Sequence, residues 1–529
     1  MNAGGAASAA ERPASAPVAG PAGRDTERRR GLLMVLAGVL LYIVLHAGFR
    51  LLASSTLGED DTLDQILVQD LRVGYDPRQP PLYDWLLWLV QQVTGPRLVS
   101  FLAIKYAALA ATAVLLYLVA FRVLRDRLWA VLTVESLALI YQISWRYHEG
   151  FTHQVLAMVA VAATLWAVLR LIDRGRTSDF ILLGFICGLS FLTEPAYAVY
   201  LASLLAAAFI DRAIRDRVLR PALAVTAVIA LVMVTPFAAY VLTDPQNVAA
   251  LWRSSDRGHL MDVVIGIKDA VRGPLMYLSP LIVILPIVFP GFLRTAWADI
   301  AALRHPLHQQ HEPDLQRFVL LAFVIAVALS LAGAILLGIG NYPMHALMPL
   351  YVTSVVWLFS VAKRSRRGGE LAGRFTRVAL TIAVIALFAR LANMFVLDPV
   401  CGKCRWGIPY AALATEMRSA GFRPDGTIVA MSNELAGNMR QHFPLARIVT
   451  RRDPDFTPKG ADPRQGSVAF IWDASDPAAR VDKVLGDLMR PDGRAGDAKL
   501  FKAPWRHLWK PTGYRTSDWR ILVLDRARN

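Results

Sequence analysis

Long apolar runs recur between residues 31 and 397 and are separated by short charged segments. A helix that crosses a bilayer needs about 20 apolar residues, and by this measure the chain has about eleven candidate spans. They lie near residues 31–53, 98–121, 128–145, 154–172, 179–193, 195–210, 221–242, 274–293, 318–338, 345–362 and 377–397. The fifth and sixth are short and meet at Glu194-Pro195, so about ten or about twelve spans are alternatives. The pattern predicts an α-helical polytopic membrane protein.

The two ends of the chain have a different pattern. Residues 1–30 are rich in Ala, Gly and Pro, end in three arginines, and are expected to form a disordered tail. Residues 398–529 have no long apolar run, and short strand-like segments alternate there with helix-like ones. The strand-like segments are Thr427–Met431, Val468–Trp472 and Arg520–Leu524, and the helix-like ones are Ala411–Ala420 and Val481–Leu488. We predict a small C-terminal α/β domain.

Composition and charge placement orient this membrane protein. Hydrophobic residues make up 55% of the chain and charged residues only 19%, against about 25% charged in soluble domains. The net charge of +16 is concentrated in alternate loops, including 122–127, 170–176, 212–220 and 363–374, whereas loop 54–97 is acidic. The positive-inside rule then places the N-terminus in the cytoplasm and residues 398–529 on the outer side of the membrane. The Ala- and Arg-rich composition suggests a high-GC bacterium, so the expected location is the inner membrane with this domain in the periplasm. The basic residues form no stripe that would predict nucleic-acid binding. We expect the excess of basic residues to contact anionic membrane lipids.

The first outer loop, residues 54–97, has the most distinctive pattern. Apolar residues at helical spacing predict two amphipathic helices at the membrane interface, separated by Pro80-Pro81. The adjacent carboxylates Asp60 and Asp61 directly follow the first span. They suit acid–base chemistry on a lipid-linked substrate. They are equally typical of an acidic helix N-terminus that the helix dipole stabilises.

The same loop resembles the first periplasmic loop of GT-C glycosyltransferases of the family-39, protein-mannosyltransferase-like kind, a group that includes bacterial aminoarabinose transferases. That loop has an Asp-Glu pair after the first span, then Gly-Tyr, then Pro-Pro before an aromatic helix. Here Asp60-Asp61, Gly74-Tyr75 and Pro80-Pro81 take those positions, with Asp61 in place of Glu. The resemblance implies a GT-C-like fold over the membrane domain, residues 31–397, and a catalytic role for Asp60. It also implies that Tyr75 and Pro81 line the substrate cavity.

Basic residues near the same side are candidates for the donor phosphate. Lys105 lies about two turns inside the second span, where an unpaired charge is costly. It binds a phosphate, as the resemblance implies, or extends to the interface. Arg97 at the entry of that span is a second candidate with an anchoring alternative. His345, in the turn before the tenth span, is a weaker, pH-dependent third.

The second outer loop, residues 145–153, is dense in ionisable groups. Glu149 is a candidate for a second catalytic acid, and His148 and His153 are candidates for cavity residues. A metal site there is an alternative, although the irregular spacing does not favour it. A solvated polar loop without a functional role is a second alternative. Glu194, where related sequences have Lys, either lines the cavity or caps the break before Pro195.

Cys401 and Cys404 follow the last span, and their spacing predicts a local disulfide in an oxidising compartment. A thioredoxin-like role is the runner-up.

These features predict an inverting glycosyltransferase. It moves a sugar from a polyprenyl-phosphate donor to an envelope acceptor, such as lipid A, lipopolysaccharide or another glycan. No P-loop is present, which agrees with a donor that lacks a nucleotide, and no cofactor or metal is expected to be required. A protein O-mannosyltransferase-like activity, a transporter or lipid flippase, and an assembly factor are the alternatives. A transporter would move its substrate chemically unchanged.

Overall fold

The computed structural model describes residues 21–252, 258–304, 312–339, 348–450, 466–477 and 498–526. Up to residue 395 the described chain is helical. The helices are α1 (Pro21–Ala53), α2 (Glu59–Leu67), α3 (Leu82–Thr94), α4 (Leu98–Leu124), α5 (Arg127–Glu135), α6 (Tyr141–Ser144), α7 (His153–Arg174), α8 (Thr177–Phe191), α9 (Tyr197–Ile210), α10 (Arg212–Val218), α11 (Leu223–Thr243), α12 (Pro245–Trp252), α13 (His259–Tyr277), α14 (Leu281–Val288), α15 (Phe292–Ala302), α16 (Leu315–Leu337), α17 (Met348–Val352), α18 (Val355–Arg364) and α19 (Gly368–Phe395). Short 3₁₀ turns lie at Ser136–Leu139 and Arg146–His148.

Apolar length alone identifies fewer spans than the sequence predicted. Within the described ranges, six helices are long and apolar enough to cross a membrane, or up to eight if two bent helix pairs each form one span. The six are α1, α4, α7, α11, α16 and α19, and the bent pairs are α9–α10 and α14–α15. The protein is therefore a multi-pass membrane protein, but the predicted number of about eleven spans is not confirmed.

Two predicted spans are interrupted. The span predicted at 274–293 contains Pro280, between α13 and α14, and Pro290, between α14 and α15, so the structure divides it among three helices. Proline lacks the amide proton that an interior helical turn needs, so these breaks have a simple covalent cause. The span predicted at 128–145 ends as an α-helix at Glu135. The chain beyond it pairs with another segment, because the amide of Tyr141 donates to the carbonyl of Ser279 at 3.0 Å.

The first helix begins earlier than expected. Helix α1 starts at Pro21, so residues 21–30 are helical rather than part of a disordered tail. Contacts with neighbouring helices explain the extension. Arg127 forms a 3.0 Å ion pair with Glu27, and the Tyr117 hydroxyl donates to the Arg28 carbonyl at 2.9 Å.

Both helices predicted in the first loop are present as α2 and α3. Glutamine side chains join them, since Gln91 donates to the Gln65 side-chain oxygen at 2.7 Å and Gln65 donates to the Pro96 carbonyl at 2.6 Å. The start of α3 is held against the turn between α8 and α9, where the Leu82 amide donates to the Leu192 carbonyl at 2.9 Å. The loop is thus a folded unit with fixed contacts on two sides.

The described residues of the C-terminal part form one five-stranded sheet and two helices. The elements are α20 (Tyr410–Ser419), β1 (Thr427–Ala430), α21 (Asn433–His442), β2 (Arg447–Val449), β3 (Gly466–Asp473), β4 (Lys499–His507) and β5 (Lys510–Arg526). The strand order is β2-β1-β3-β5-β4, with β1 parallel to β2 and β3, and β5 antiparallel to β3 and β4. This agrees with the predicted α/β domain, and the helix predicted at Val481–Leu488 lies outside the described residues.

The sheet domain packs directly on the first loop. Helix α21 lies so close to α2 that a Cβ at Gly437 would overlap the backbone of Thr62. Buried Arg440 donates to the carbonyls of Gln65 and Val68 at the end of α2. Helix α2 is therefore clamped between the membrane helices and the C-terminal domain, which fixes the position of the two carboxylates in its first turn.

Candidate active site

The adjacent carboxylates of α2 have different surroundings. Asp61 is buried and accepts a 2.6 Å hydrogen bond from the Lys105 ammonium, which is also buried. Asp60 is exposed at the surface of the site. Successive residues of a helix point about 100° apart, so the two side chains face in different directions. Asp61 is thereby committed to an ion pair, and Asp60 is the member of the pair whose side chain is exposed.

The second loop closes over the first turn of α2. A Cβ at Gly58 would overlap the carbonyl oxygen of Glu149, and one at Gly150 would lie 3.5 Å from the Asp60 carboxylate. Glycine at position 58 is required by this close approach of two backbones. The two outer loops that the sequence identified thus meet at Asp60.

Arginines that the sequence analysis did not select surround this meeting point. Arg390 of α19 is 1% exposed, and its Nη1 is 3.5 Å from the Trp145 carbonyl. Its Nε and Nη2 atoms have no hydrogen-bond partner among the described residues. A buried guanidinium with unused donors is costly unless an anion completes it. Arg390 therefore presents an open anion-binding group.

Two further arginines lie on one indole ring. The guanidinium carbons of Arg50 and Arg405 are 4.8 Å and 5.7 Å from the centroid of Trp406. Arg405 also approaches the Glu149 carbonyl at 3.4 Å and borders Gly58 beside Asp61. The charges that act most strongly on Arg50 are those of Asp61, Arg405, Arg390 and Glu149. The arginines and carboxylates therefore form one electrostatic cluster.

The segment after the last membrane helix holds Trp406 in place. Its indole N–H donates to Asn393 at 3.0 Å, and its carbonyl accepts from Ser54 at 2.9 Å. Cys401 and Cys404 are joined by a disulfide, the pairing expected from their spacing. This short cross-linked turn delivers Arg405 to the site.

His148 is part of the packing around the cluster. Its ring nitrogens pair with the hydroxyls of Tyr42 at 2.7 Å and Tyr106 at 2.9 Å, and His46 stacks on it at 4.3 Å. Burial, together with the Arg390 charge, holds the pKa of His148 well below its usual value, so the ring stays neutral. A neutral, fully paired ring positions its neighbours and has no free donor for a phosphate.

The remaining predicted residues occupy other places. The Tyr75 hydroxyl bonds the backbone of Asp70 within the first loop, and Pro81 caps α3. Arg97 is exposed at the N-cap of α4, and its eight-residue separation from Lys105 on the helix corresponds to about 12 Å. His345 lies outside the described residues.

His153 and Glu194 belong to a neighbouring buried group. The Nε2 atom of His153 is 3.9 Å from Asp64 and 3.8 Å from Asp84, and Glu194 acts on the ring electrostatically. His153 thus lies beside Asp64, one helical turn of α2 beyond Asp60, whereas the second loop brings the backbone of Glu149 to the start of α2 next to Asp60.

Comparison with known proteins supports the class that this fold and site define. Residues 78–240 match the protein-family model described as dolichyl-phosphate-mannose-protein mannosyltransferase. This match, together with the relatives and structural neighbours below, supports a membrane glycosyltransferase of the GT-C class, as the first loop predicted.

Among curated proteins, the chain is similar to two enzymes of Rhizobium johnstonii. It is 25% identical to lipopolysaccharide core galacturonosyltransferase RgtB, over 81% of this chain and 85% of that protein. It is 26% identical to lipopolysaccharide core galacturonosyltransferase RgtA, over 85% of this chain and 89% of that protein.

Among solved structures, the fold is similar to ArnT from Cupriavidus metallidurans. The apo structure aligns with a TM-score of 0.61 and 10% identity, covering 93% of this chain and 98% of that one. The structure bound to undecaprenyl phosphate aligns with a TM-score of 0.56 and 12% identity, covering 92% and 97%. Both alignments cover more than nine-tenths of this chain and show a similar fold.

Proposed function

We propose that the protein transfers a sugar from a polyprenyl-phosphate donor to a lipopolysaccharide or related envelope acceptor at the outer face of the bacterial inner membrane. The observation that carries this proposal is the combination of an exposed carboxylate, Asp60, with buried Arg390, whose donors are not all used. Displacement at an anomeric carbon needs both a group that takes the acceptor proton and a group that binds the leaving phosphate.

Asp60 is the base in this proposal. It accepts the proton of the acceptor hydroxyl while the hydroxyl oxygen forms a bond to the anomeric carbon. The bond from that carbon to the phosphate oxygen breaks at the same time, and polyprenyl phosphate leaves. A single displacement inverts the configuration at the anomeric carbon. Glu149, whose backbone lies against α2, adds negative charge beside the incoming acceptor.

Arg390 and Arg405 bind the phosphate in this proposal, and Arg50, whose Nη atoms donate to the carbonyls of Ser54 and Thr56, adds positive charge beside them. Guanidinium groups form paired hydrogen bonds with phosphate and remain charged when buried. Lys105 is better assigned to Asp61, because the 2.6 Å contact already uses its charge. It then acts on the reaction by fixing α2 against α4. This assignment replaces the donor-phosphate role that the sequence suggested for Lys105.

A uronic acid is the sugar that we propose to test first. The two curated relatives are named as galacturonosyltransferases. The three arginines of the cluster also carry one positive charge more than the roughly two negative charges of a phosphate monoester, and a sugar carboxylate would balance it.

The test is transfer by the purified full chain in lipid nanodiscs. Polyprenyl-phosphate-linked galacturonic acid and a nucleotide-linked galacturonic acid are offered in separate reactions with lipopolysaccharide from a deletion strain. We expect the lipopolysaccharide to gain the mass of one uronic acid residue only with the polyprenyl donor. Transfer from the nucleotide donor alone would overturn the proposal, and so would movement of an unchanged lipid-linked sugar across the bilayer without transfer.

A further inference from the structure

A second cluster of buried ionisable groups lies beside the proposed active site. It consists of Asp64 on α2, Asp84 on α3 and His153 at the start of α7, and it is called the Asp-Asp-His cluster here. The three residues are 1–2% exposed. One ligand atom from each can be chosen so that all of these atoms lie within 4.8 Å of one another. Three separate segments of the chain thus bring their polar groups to one point.

Hydrogen bonds within the protein leave this cluster incomplete. The His153 Nε2 atom lies 3.9 Å from Asp64 Oδ1 and 3.8 Å from Asp84 Oδ2, which is longer than a hydrogen bond. Both ring nitrogens of His153, Oδ2 of Asp64 and Oδ1 of Asp84 have no hydrogen-bond partner among the described residues. Buried polar atoms in native proteins nearly always have partners. The arrangement therefore needs a further group at its centre.

We propose that the Asp-Asp-His cluster binds one divalent transition-metal ion, with Zn²⁺ as the best fit. Two ligands bound to zinc at about 2.1 Å with a tetrahedral angle lie about 3.4 Å apart. The observed N–O separations exceed this by about half an ångström or slightly less, so a small contraction of the side chains brings them into coordination. A nitrogen ligand together with two carboxylates favours zinc over magnesium or calcium, which prefer all-oxygen sites.

The charges in the cluster agree with this assignment. Two carboxylates and a neutral imidazole balance a divalent cation, whereas without the metal two carboxylates share one buried volume.

The metal site would affect sugar transfer by holding Asp60 in position. Asp64 follows Asp60 by one helical turn on α2. A metal that joins Asp64 to α3 and α7 would hold that helix, and with it Asp60, against the second loop. The ligands are therefore positioning residues rather than catalytic ones, and the proposal does not depend on which sugar is transferred.

The first test is metal content. The full chain is purified in detergent with a tag that lacks histidine, dialysed against a chelator, loaded with Zn²⁺ and measured by mass spectrometry of the elements. We expect about one zinc per chain for the wild type and at least about a tenfold loss for His153→Ala and Asp84→Asn. Asp179→Asn is the matched control, because Asp179 is a buried carboxylate that pairs with Arg170 elsewhere, and it should retain the zinc. Wild-type protein without zinc, or an equal loss in the control, would overturn the proposal.

The second test keeps the result interpretable if a variant folds poorly. The melting temperature of chelated wild-type protein is measured with added Zn²⁺ or Mg²⁺. A ligand that binds only the folded state raises the melting temperature, so we expect a rise with Zn²⁺ alone and none in His153→Ala. No shift with Zn²⁺, or an equal shift with Mg²⁺, would contradict the assignment. Neither measurement needs a sugar donor, so either proposal can fail without the other.

Discussion

The ion pair between Lys105 and Asp61 is expected to be the most sensitive electrostatic contact at the site. Both side chains are buried, at 1% and 3% exposure, and the N–O distance is 2.6 Å. Removing one partner leaves the other as an uncompensated buried charge, which costs about 3–5 kcal/mol. Lys105→Met and Asp61→Asn should each lower the free energy of unfolding by this amount. The melting temperature in detergent should fall by at least about 5 °C in each variant.

The double variant distinguishes pairing from unrelated damage. With both Lys105→Met and Asp61→Asn, no charge remains buried, so the loss should be smaller than the sum of the single losses and smaller than either one. Lys502→Met is the matched control, since Lys502 pairs with Asp518 at 2.9 Å but is 60% exposed. Its loss should stay below about 1 kcal/mol.

The assay is thermal unfolding followed by tryptophan fluorescence, with all variants at equal detergent and salt concentrations. Strictly additive losses in the double variant, or single losses as small as that of the Lys502 control, would refute the reasoning. In that case Lys105 would not be committed to Asp61, and its earlier assignment to the donor phosphate would again be open to test.

Three further predictions follow from the surroundings of the pair. Arg390→Gln should weaken binding of polyprenyl phosphate about 10- to 100-fold, since a charge-assisted hydrogen bond is worth about 1.5–3 kcal/mol; Arg377→Gln, exposed on the same helix, should leave the affinity unchanged, and an equal effect of both would contradict the assignment. Replacing Cys401 and Cys404 by Ser should cost about 2 kcal/mol of stability, the loop-entropy value for so short a cross-link, and unfolding curves that coincide with the wild type would disprove it. Burial raises the pKa of Glu194 from 4.5 to about 7, so the folded state binds this proton more tightly than the unfolded state does. The free energy of unfolding of metal-free protein should therefore fall by about 1 kcal/mol or less per pH unit as the pH rises from 4.5 to about 7. Glu194→Gln should flatten this dependence of stability on pH, and an unchanged slope would count against the raised pKa of Glu194.

Features set by neighbouring residues were predictable from the sequence. The two helices of the first loop follow from apolar spacing and from Pro80-Pro81, because helix periodicity is a local property. The prolines of the 274–293 segment also predict that its helix is interrupted. A span assignment based on hydropathy alone does not detect such a break.

Contacts between distant segments were not predictable in the same way. Lys105 was identified as a costly intramembrane charge, but its partner lies 44 residues away. Only the rotation of α2 decides that Asp61, and not Asp60, faces it. The Asp-Asp-His cluster draws its ligands from three segments, so no sequence spacing could reveal it. The expectation that no metal is required came from the view that protein cations neutralise the donor phosphate, and the sequence suggested a metal site only in the second loop.

The arginines were missed for two different reasons. Arg390 lies inside a predicted span, where an ionisable residue is itself an indication of function. The sequence therefore contained an indication of Arg390, but it was not among the predicted site residues. Arg405 reaches the site because the Cys401–Cys404 turn and Trp406 direct it there. That geometry depends on the fold of the segment after the last helix.

Sugar transfer by the Asp60→Asn variant tests the central claim most directly. The purified variant is compared with wild type and with Asp70→Asn, another exposed carboxylate of the same loop, using a polyprenyl-phosphate uronic acid donor and a lipopolysaccharide acceptor. Melting temperatures are measured in parallel to show that each variant is folded. We expect Asp60→Asn to lower the rate by about 10²–10⁴-fold, the usual contribution of a general base, with Asp70→Asn near wild type. A folded Asp60→Asn protein that transfers sugar at the wild-type rate would contradict the account.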